Sequence, residues 1–279
     1  MTKEPIQAGV IGWPIHHSRS PIIHNYWLNQ QSINGNYQTI AVSPDAADAF
    51  FKGFKTSGLA GFNITIPHKE TVIPYLDHID EAATAIGAVN TVWLEDGKMC
   101  GSNSDWIGFS DNLDHLAPGW DQHNDHALIL GAGGAARGVI FALLKRGFEN
   151  ITVANRTVTR AEELADHFGD NVHAIGLSQA EQAIESSTLL INTTSLGMDN
   201  NPPLPLTLDG IQPDCLVTDI VYTPLETPLL KLAKSKGNKT VDGLGMLLHQ
   251  AKMGSKLWFG GDPVVTDELR DLVLQDMGL

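Results

Sequence analysis

Gly131-Ala132-Gly133-Gly134-Ala135-Ala136-Arg137 decides how this chain is read. The segment has the form G-x-G-x-x-A, with Ala136 in the third small position. The apolar run His126–Leu130 precedes it. A helical pattern, Ala135–Arg146, follows and ends at Gly147, a residue suited to the C′ position. The first glycine permits a tight turn, and the second lets the backbone approach a pyrophosphate, whose charge sits at the helix N-terminus. A glycine-rich turn that merely packs is the competing reading, and the strand–turn–helix context disfavours it.

Reading outward, the segment from His126 to Asp242 alternates short apolar strands with helices. The strands are Ala127–Leu130, Ile151–Ala154, Thr188–Asn192 and Leu216–Ile220, the outline of a doubly wound parallel sheet. Toward the N-terminus the pattern predicts strands at Ala8–Gly12, Tyr37–Val42, Ala60–Thr65 and Val89–Leu94, with helices at Pro21–Gln31, Asp45–Thr56 and Glu81–Ile86. Pro74 keeps any helix after Lys69 short or kinked. Beyond Asp242, residues Leu244, Leu247, Leu248, Ala251 and Trp258 share one helical stripe. Gly260-Gly261-Asp262-Pro263 ends that helix, and a last one is expected from Val265 to Met277. The expected architecture is an α/β protein of two domains. A Rossmann-type doubly wound domain, 103–242, is inserted in an N-terminal α/β domain, 1–102, that C-terminal helices, 243–279, complete.

Composition bounds what such a chain can do. With 279 residues, 42% hydrophobic and 18% charged, it suits a globular protein of two domains. No apolar run approaches the roughly 20 residues that span a bilayer, and no secretory signal is read at the N-terminus. Cys100 and Cys215 lie far apart, which argues against a disulfide framework and a zinc site. A cytoplasmic protein without a metal is expected. A formal net charge of −14 disfavours nucleic acid and anionic membranes as partners. An anionic cofactor must therefore be held by a few local cations and backbone amides.

The turn after the second strand of the nucleotide domain selects that cofactor. NAD sites place Asp or Glu there to accept from the ribose hydroxyl. This chain has Asn155-Arg156-Thr157-Val158-Thr159-Arg160. Arg156 can hold a 2′-phosphate bidentately, Thr157 can donate a hydroxyl bond, and Arg160 adds a cation one helical turn on. NADP is favoured over NAD; solvated surface arginines are the bland alternative.

Further motifs follow in order: Ser18-Arg19-Ser20-Pro21; Asn63-Ile64-Thr65-Ile66-Pro67-His68-Lys69; Ala85-Ile86-Gly87-Ala88-Val89-Asn90-Thr91; Gly101-Ser102-Asn103-Ser104-Asp105-Trp106-Ile107-Gly108-Phe109; Asp219-Ile220-Val221-Tyr222-Thr223-Pro224; and Asp242-Gly243-Leu244-Gly245-Met246-Leu247-Leu248-His249-Gln250. With the glycine loop and the arginine turn, this ordered set resembles the shikimate dehydrogenase family over essentially the whole chain. One departure is visible: the family usually writes N-T-D where this chain has Asn103-Ser104-Asp105, a change expected to matter little.

The resemblance implies NADPH-dependent, reversible reduction of 3-dehydroshikimate to shikimate, in the chorismate pathway of aromatic amino acid biosynthesis. It implies a site in the cleft between the two domains. Residues similar to Ser18, Ser20 and Tyr222 hold the substrate carboxylate, and those similar to Thr65, Lys69, Asn90, Asp105 and Gln250 hold the ring oxygens. The cofactor lies on Gly131, Ala132, Gly133, Gly134 and Ala135 and on Asn155, Arg156, Thr157 and Arg160, with contacts near Glu81, Ile220 and Gly243. Oligomeric state is open, a homodimer being one expectation. In carbonyl reduction negative charge grows on oxygen, so a cationic donor both stabilises it and supplies the proton. Lys69 fits general acid in reduction and general base in oxidation, with Asp105 orienting it and accepting from a ring hydroxyl. Which of the two transfers the proton is open, Lys69 being favoured.

Structural readings compete at several positions. Ser20 could act only as a helix N-cap before Pro21, and Asp105 only as the cap of an amphipathic helix, Trp106–Leu116, whose Trp106, Phe109, Leu113 and Leu116 face inward. Lys69 could be a solvated lysine at a helix start, although the macrodipole disfavours a cation there. Gln250, in a row with Met246, Met253 and Leu257, needs partners that a ligand or buried backbone would supply. Tyr222 could be core, and His68 and His249 read as bystanders. Rival functions are an NAD-dependent quinate/shikimate dehydrogenase, which the Asn155-Arg156-Thr157 turn opposes; a methylenetetrahydrofolate dehydrogenase, which the Ser18, Ser20 and Asp105 motifs oppose; and a catalytically silent NADPH-binding regulator, which retention of Lys69 and Asp105 opposes.

Overall fold

Continuous buried runs such as Ala8–Gly12 and Gly61–Ile64 build the core of a mixed sheet in the first hundred residues. The computed structural model describes residues 4–122 and 124–279. Chain order begins with β1 (Ile6–Gly12), α1 (Ser20–Gln30), β2 (Gly35–Ala41), α2 (Ala47–Gly53), β3 (Leu59–Ile64), β4 (His78–Ile79), α3 (Glu81–Ile86), β5 (Thr91–Glu95) and β6 (Lys98–Ser102). Single 3-10 turns, Pro44–Ala46 and Phe54–Thr56, flank α2, and Ile73–Tyr75 forms another around Pro74. The sheet order is β2-β1-β3-β5-β6-β4. β1 runs parallel to both neighbours, whereas β5 is antiparallel to β3 and β6.

The middle of the chain continues with α4 (Asp105–Leu116), β7 (Ala127–Leu130), α5 (Gly134–Lys145), β8 (Ile151–Asn155), α6 (Val158–Phe168), β9 (Val172–Gly176), α7 (Ala180–Ile184), β10 (Leu189–Asn192), β11 (Leu216–Asp219), α8 (Pro228–Ser235) and β12 (Thr240–Val241). All six strands are parallel, in the order β12-β11-β10-β7-β8-β9. This is the doubly wound arrangement, with its reversal between β7 and β10. Both faces are covered, as parallel sheets require: Ile129, Val139, Ile140, Leu143 and Ile191 pack on one side, and Leu128, Leu130, Ile184, Leu190 and Val217 on the other.

The chain closes with α9 (Leu244–Phe259) and α10 (Asp267–Asp276). Two compact units result, residues 1–104 with 248–279 and residues 105–247. The return crossing lies inside α9, because Asp242, whose carboxylate accepts from Leu244 N at 3.0 Å, starts that helix within the second unit. In the first unit α9 fills a hollow in the sheet. A Cβ at Gly61 would overlap the Trp258 indole, whose Nε1 donates to Val92 O at 3.0 Å. No helix among the described residues is long and apolar enough to cross a membrane, and no group of metal-ligating side chains is found among them.

Several local expectations are corrected. Ser20 does not cap α1: Arg19 holds the cap position and Ser20 is already helical. Asp105 is the first residue of α4 rather than a residue ahead of it, so its carboxylate sits at the favourable end of the helix dipole. Leu116 is exposed at 36% because it ends the helix beyond the inward stripe of Phe109 and Leu113. No helix starts at Lys69, which lies in a turn segment, so the dipole argument lapses there. The strands β4, β6, β9 and β12 lie outside the expected pattern.

Candidate active site

Strand register builds the nucleotide end of the site. Leu130 lies beside Ala154 on one side and Asn192 on the other. The residues that follow, Gly131, Asn155 and Thr193, therefore emerge at one level, where the strand order reverses and doubly wound sheets bind ligands. They open into a pocket of about 450 Å³. Gly131 adopts φ +105°, and a Cβ there would lie 2.7 Å from Thr194 Cγ2, so glycine is required. A Cβ on Gly133 or Gly134 would meet nothing within 4 Å. Their bare backbone leaves open the approach to the N-terminus of α5, whose first amides suit a phosphate.

The pocket gathers Gly131, Ala132, Gly133, Asn155, Arg156 and Arg160 from the expected cofactor residues. Among the described residues, Arg156 and Arg160 are its only charged lining groups, and no carboxylate joins them. Asn155 Nδ2 donates to Thr157 O at 2.9 Å and folds the turn that carries Arg156. Gly134, Ala135, Thr157, Ile220 and Gly243 lie in the same unit but do not line the pocket, and Glu81, the first residue of α3, belongs to the other unit. Gly243 serves close packing, since a Cβ there would come within 2.7 Å of Asp219 O.

Sequence reasoning missed the turn Thr193-Thr194-Ser195-Leu196, which lines the pocket, as do Leu177 and Leu204. The available signal was a cluster of hydroxyls directly after a buried strand. Thr194 donates from both N and Oγ1 to Asn192 Oδ1, at 3.0 and 2.8 Å. Asn192 is in turn held by Asp219, which also accepts from Val221 N and Thr227 Oγ1. Burial raises the Asp219 carboxyl above the usual range, against these three donors.

The substrate candidates divide between the units. Ser18, Ser20, Thr65, Lys69, Asn90 and Gln250 belong to the first, and Asp105 and Tyr222 to the second. Ser18 Oγ accepts from Ser20 N at 3.4 Å, which folds the entry to α1. Thr65 follows β3, and its N donates to Ile11 O at 3.0 Å. Lys69 is half-buried, and its carbonyl accepts from Val89 N at 2.8 Å. His68 has a structural part: its buried ring bonds Val42 O at 2.7 Å and anchors the turn before Lys69. Asn90 is buried, while Gln250 and Tyr222 are half-buried.

Comparison with known proteins identifies the family. Residues 10–92 match the model described as the shikimate dehydrogenase substrate binding domain, and residues 116–198 match shikimate / quinate 5-dehydrogenase. The NADP(+) shikimate dehydrogenase of Azorhizobium caulinodans is 51% identical over 97% of this chain and 96% of its own. A shikimate 5-dehydrogenase from Thermus thermophilus, in complex with NADP(H) and shikimate, superposes with TM-score 0.84 at 34% identity, covering 97% of this chain and 99% of the other. A quinate dehydrogenase from Corynebacterium glutamicum, in complex with NAD, superposes with TM-score 0.90 at 31% identity, covering 98% and 99%. Relatives of this fold are thus seen in complex with NAD and with NADP(H). From end to end, in sequence and in fold, the chain belongs to the shikimate dehydrogenase family.

Proposed function

We propose that this protein is an NADP-dependent shikimate dehydrogenase that reversibly reduces 3-dehydroshikimate to shikimate on the route to chorismate and the aromatic amino acids. The observation that carries the cofactor assignment is the charge of the nucleotide pocket. In a chain of net charge −14, the pocket is lined by Arg156 and Arg160 and, among the described residues, by no acid. Two guanidinium groups suit a 2′-phosphate, which an acid in the lining would repel.

NADPH supplies a hydride to the substrate carbonyl carbon. The protein's own share is to position and to protonate. Lys69 donates to the oxygen on which charge develops and then delivers its proton; in oxidation it takes that proton back. Asp105 accepts from a ring hydroxyl. Ser18, Ser20 and Tyr222 offer hydroxyl donors to the carboxylate, and Thr65, Asn90 and Gln250 hold ring oxygens.

An activity matrix of NAD and NADP against shikimate and quinate tests this reading. NADP with shikimate should give the highest kcat/KM by a wide margin. A preference for NAD with quinate would replace it with the rival dehydrogenase.

A further inference from the structure

Beneath the first unit's site residues, a set of buried polar side chains joins into one chain of hydrogen bonds. Tyr37 Oη donates to Asn63 Oδ1 at 2.7 Å. Asn63 Nδ2 donates to Asn90 O at 3.0 Å and to Thr91 Oγ1 at 3.1 Å. Thr91 Oγ1 donates to Asn90 Oδ1 at 2.9 Å, where Ser104 N also arrives at 2.8 Å. Ser104 Oγ lies 3.2 Å from the same oxygen and 3.4 Å from Gln250 Oε1. Tyr37, Asn63, Asn90, Thr91 and Ser104 are all 5% exposed or less.

Two backbone groups dictate the direction of the bonds from Tyr37 to Asn90. The Asn90 carbonyl can only accept, so the end of the Asn63 amide facing it must be the amino group. The other end is then an oxygen, and Tyr37 must donate to it. Because Asn63 also donates to Thr91 Oγ1, the Thr91 proton is left to point at Asn90. The Ser104 amide N–H can only donate, so the Asn90 atom facing it must be Oδ1. The Ser104 hydroxyl then donates to Asn90 Oδ1 at 3.2 Å or to Gln250 Oε1 at 3.4 Å, and its oxygen bridges the two side chains. Burial supports this polarity by pushing the Tyr37 phenol well above its ordinary pKa, against a hydrogen bond from Ser20, so it stays a donor.

We infer that Tyr37, Asn63, Thr91 and Ser104 are positioning residues, a one-way hydrogen-bond chain that sets the Asn90 amide with its amino end turned toward a substrate oxygen, with Ser104 Oγ bridging to Gln250. Asn90 is thereby set as a donor, which selects a ring oxygen that accepts at that point. Without the Thr91 donor the Ser104 N–H alone holds Asn90 Oδ1, and the amide is set less firmly. The exchange of the family's usual threonine for Ser104 keeps the one atom this function needs. The inference rests on the reading of Asn90 and Gln250 as substrate ligands.

Steady-state kinetics of the full chain test it. Tyr37→Phe and the isosteric Thr91→Val each remove one hydroxyl from the chain and leave the packing shape. Each should raise KM for shikimate by about 3- to 10-fold, the range of a lost hydrogen bond, with KM for NADP unchanged. Thr91→Ser should restore the wild-type KM. Asn90→Ala should raise KM for shikimate by about 10-fold or more, and adding Thr91→Val to it should cost nothing further. If Asn90→Ala raises KM but Tyr37→Phe and Thr91→Val do not, or if the double variant's losses are additive, the positioning chain is refuted and the ligand reading stands. If Asn90→Ala leaves KM unchanged, the ligand reading is wrong and the inference falls with it. Should Thr91→Val not fold, Tyr37→Phe decides alone, since its ring remains stacked on His24.

Discussion

The side-chain amide of Asn192 donates to the carboxylate of Asp219 at 2.9 Å, and both residues are wholly buried. Through this bond a buried carboxylate that does not line the pocket shapes its Thr193–Leu196 turn, because Asn192 in turn holds Thr194. Asp219→Asn offers one acceptor oxygen to three donors and sets an amino group against at least one of them. An orphaned buried donor costs about 1–3 kcal/mol. Urea unfolding should register a loss of this size, and KM for NADP should rise while KM for shikimate holds.

The same carboxylate titrates in a direction that can be checked. Its folded-state pKa lies above the ordinary value of 3.8, chiefly from burial. The stability it contributes is therefore fully present below about pH 3.8 and is lost as pH rises through the folded-state value. Subtracting the Asp219→Asn stability curve from that of the wild type should give a difference that declines with pH across this interval. A flat difference would contradict the assignment.

Arg156→Ala should separate the two nucleotides. A hydrogen bond to a charged group is worth about 1.5–3 kcal/mol, so NADP affinity should fall roughly 10- to 150-fold. NAD, which lacks the 2′-phosphate, should bind nearly as before. Isothermal titration with both nucleotides reads the effect directly, and equal losses for the two would remove Arg156 from the phosphate site.

Lys69→Ala should lower kcat by about 10²–10⁴-fold, the usual range for a positioned acid or base, with a much smaller effect on KM. A raised KM at near-normal kcat would instead mark Lys69 as a binding contact. Asp105→Asn keeps the shape and removes the charge. If the two residues act as a unit, the double variant should be little worse than the poorer single one; additive losses would separate them.

His24 predicts an acid weakness in the first unit. Its ring is wholly buried, stacked on Tyr37 at 3.9 Å, and burial lowers its pKa from 6.5 to about 3. The unfolded chain binds a proton that the folded one refuses, so stability rises with pH between about 3 and 6.5. The linkage is on the order of 5 kcal/mol across that interval. His24→Phe retains a stacked ring and should flatten this part of the stability curve; an unchanged slope would place the acid weakness elsewhere.

The central strands of the Rossmann half were legible because they are short, mostly apolar and, at β7, followed by glycine. β7 emerges at Ala127–Leu130 as read, and Gly147, at φ +82°, lies just past α5. The edge strands β9 and β12 and the strand β6 were hidden, since Val172–Gly176 and Lys98–Ser102 mix polar, small and charged residues that periodicity does not flag. The arginine turn was legible from charge alone. The Thr193–Leu196 wall was not, because hydroxyls after a strand look like any loop until register sets Asn192 level with Leu130. Ser104 shows the same limit. As a single letter it was a threonine short of a methyl, and only its place between Asn90 and Gln250 gives the hydroxyl a task.

The indole of Trp258, seated over Gly61, has a consequence for how this chain is made. A ribosome delivers Gly61 long before Trp258, so the first sheet emerges with an open hollow and Val92 O without its donor. Residues 105–247 emerge in one uninterrupted stretch and can pack their own sheet meanwhile. The half that is synthesised first is therefore completed last. A nascent chain halted shortly before Trp258 should already resist protease across its nucleotide half while its first hundred residues remain open to cleavage.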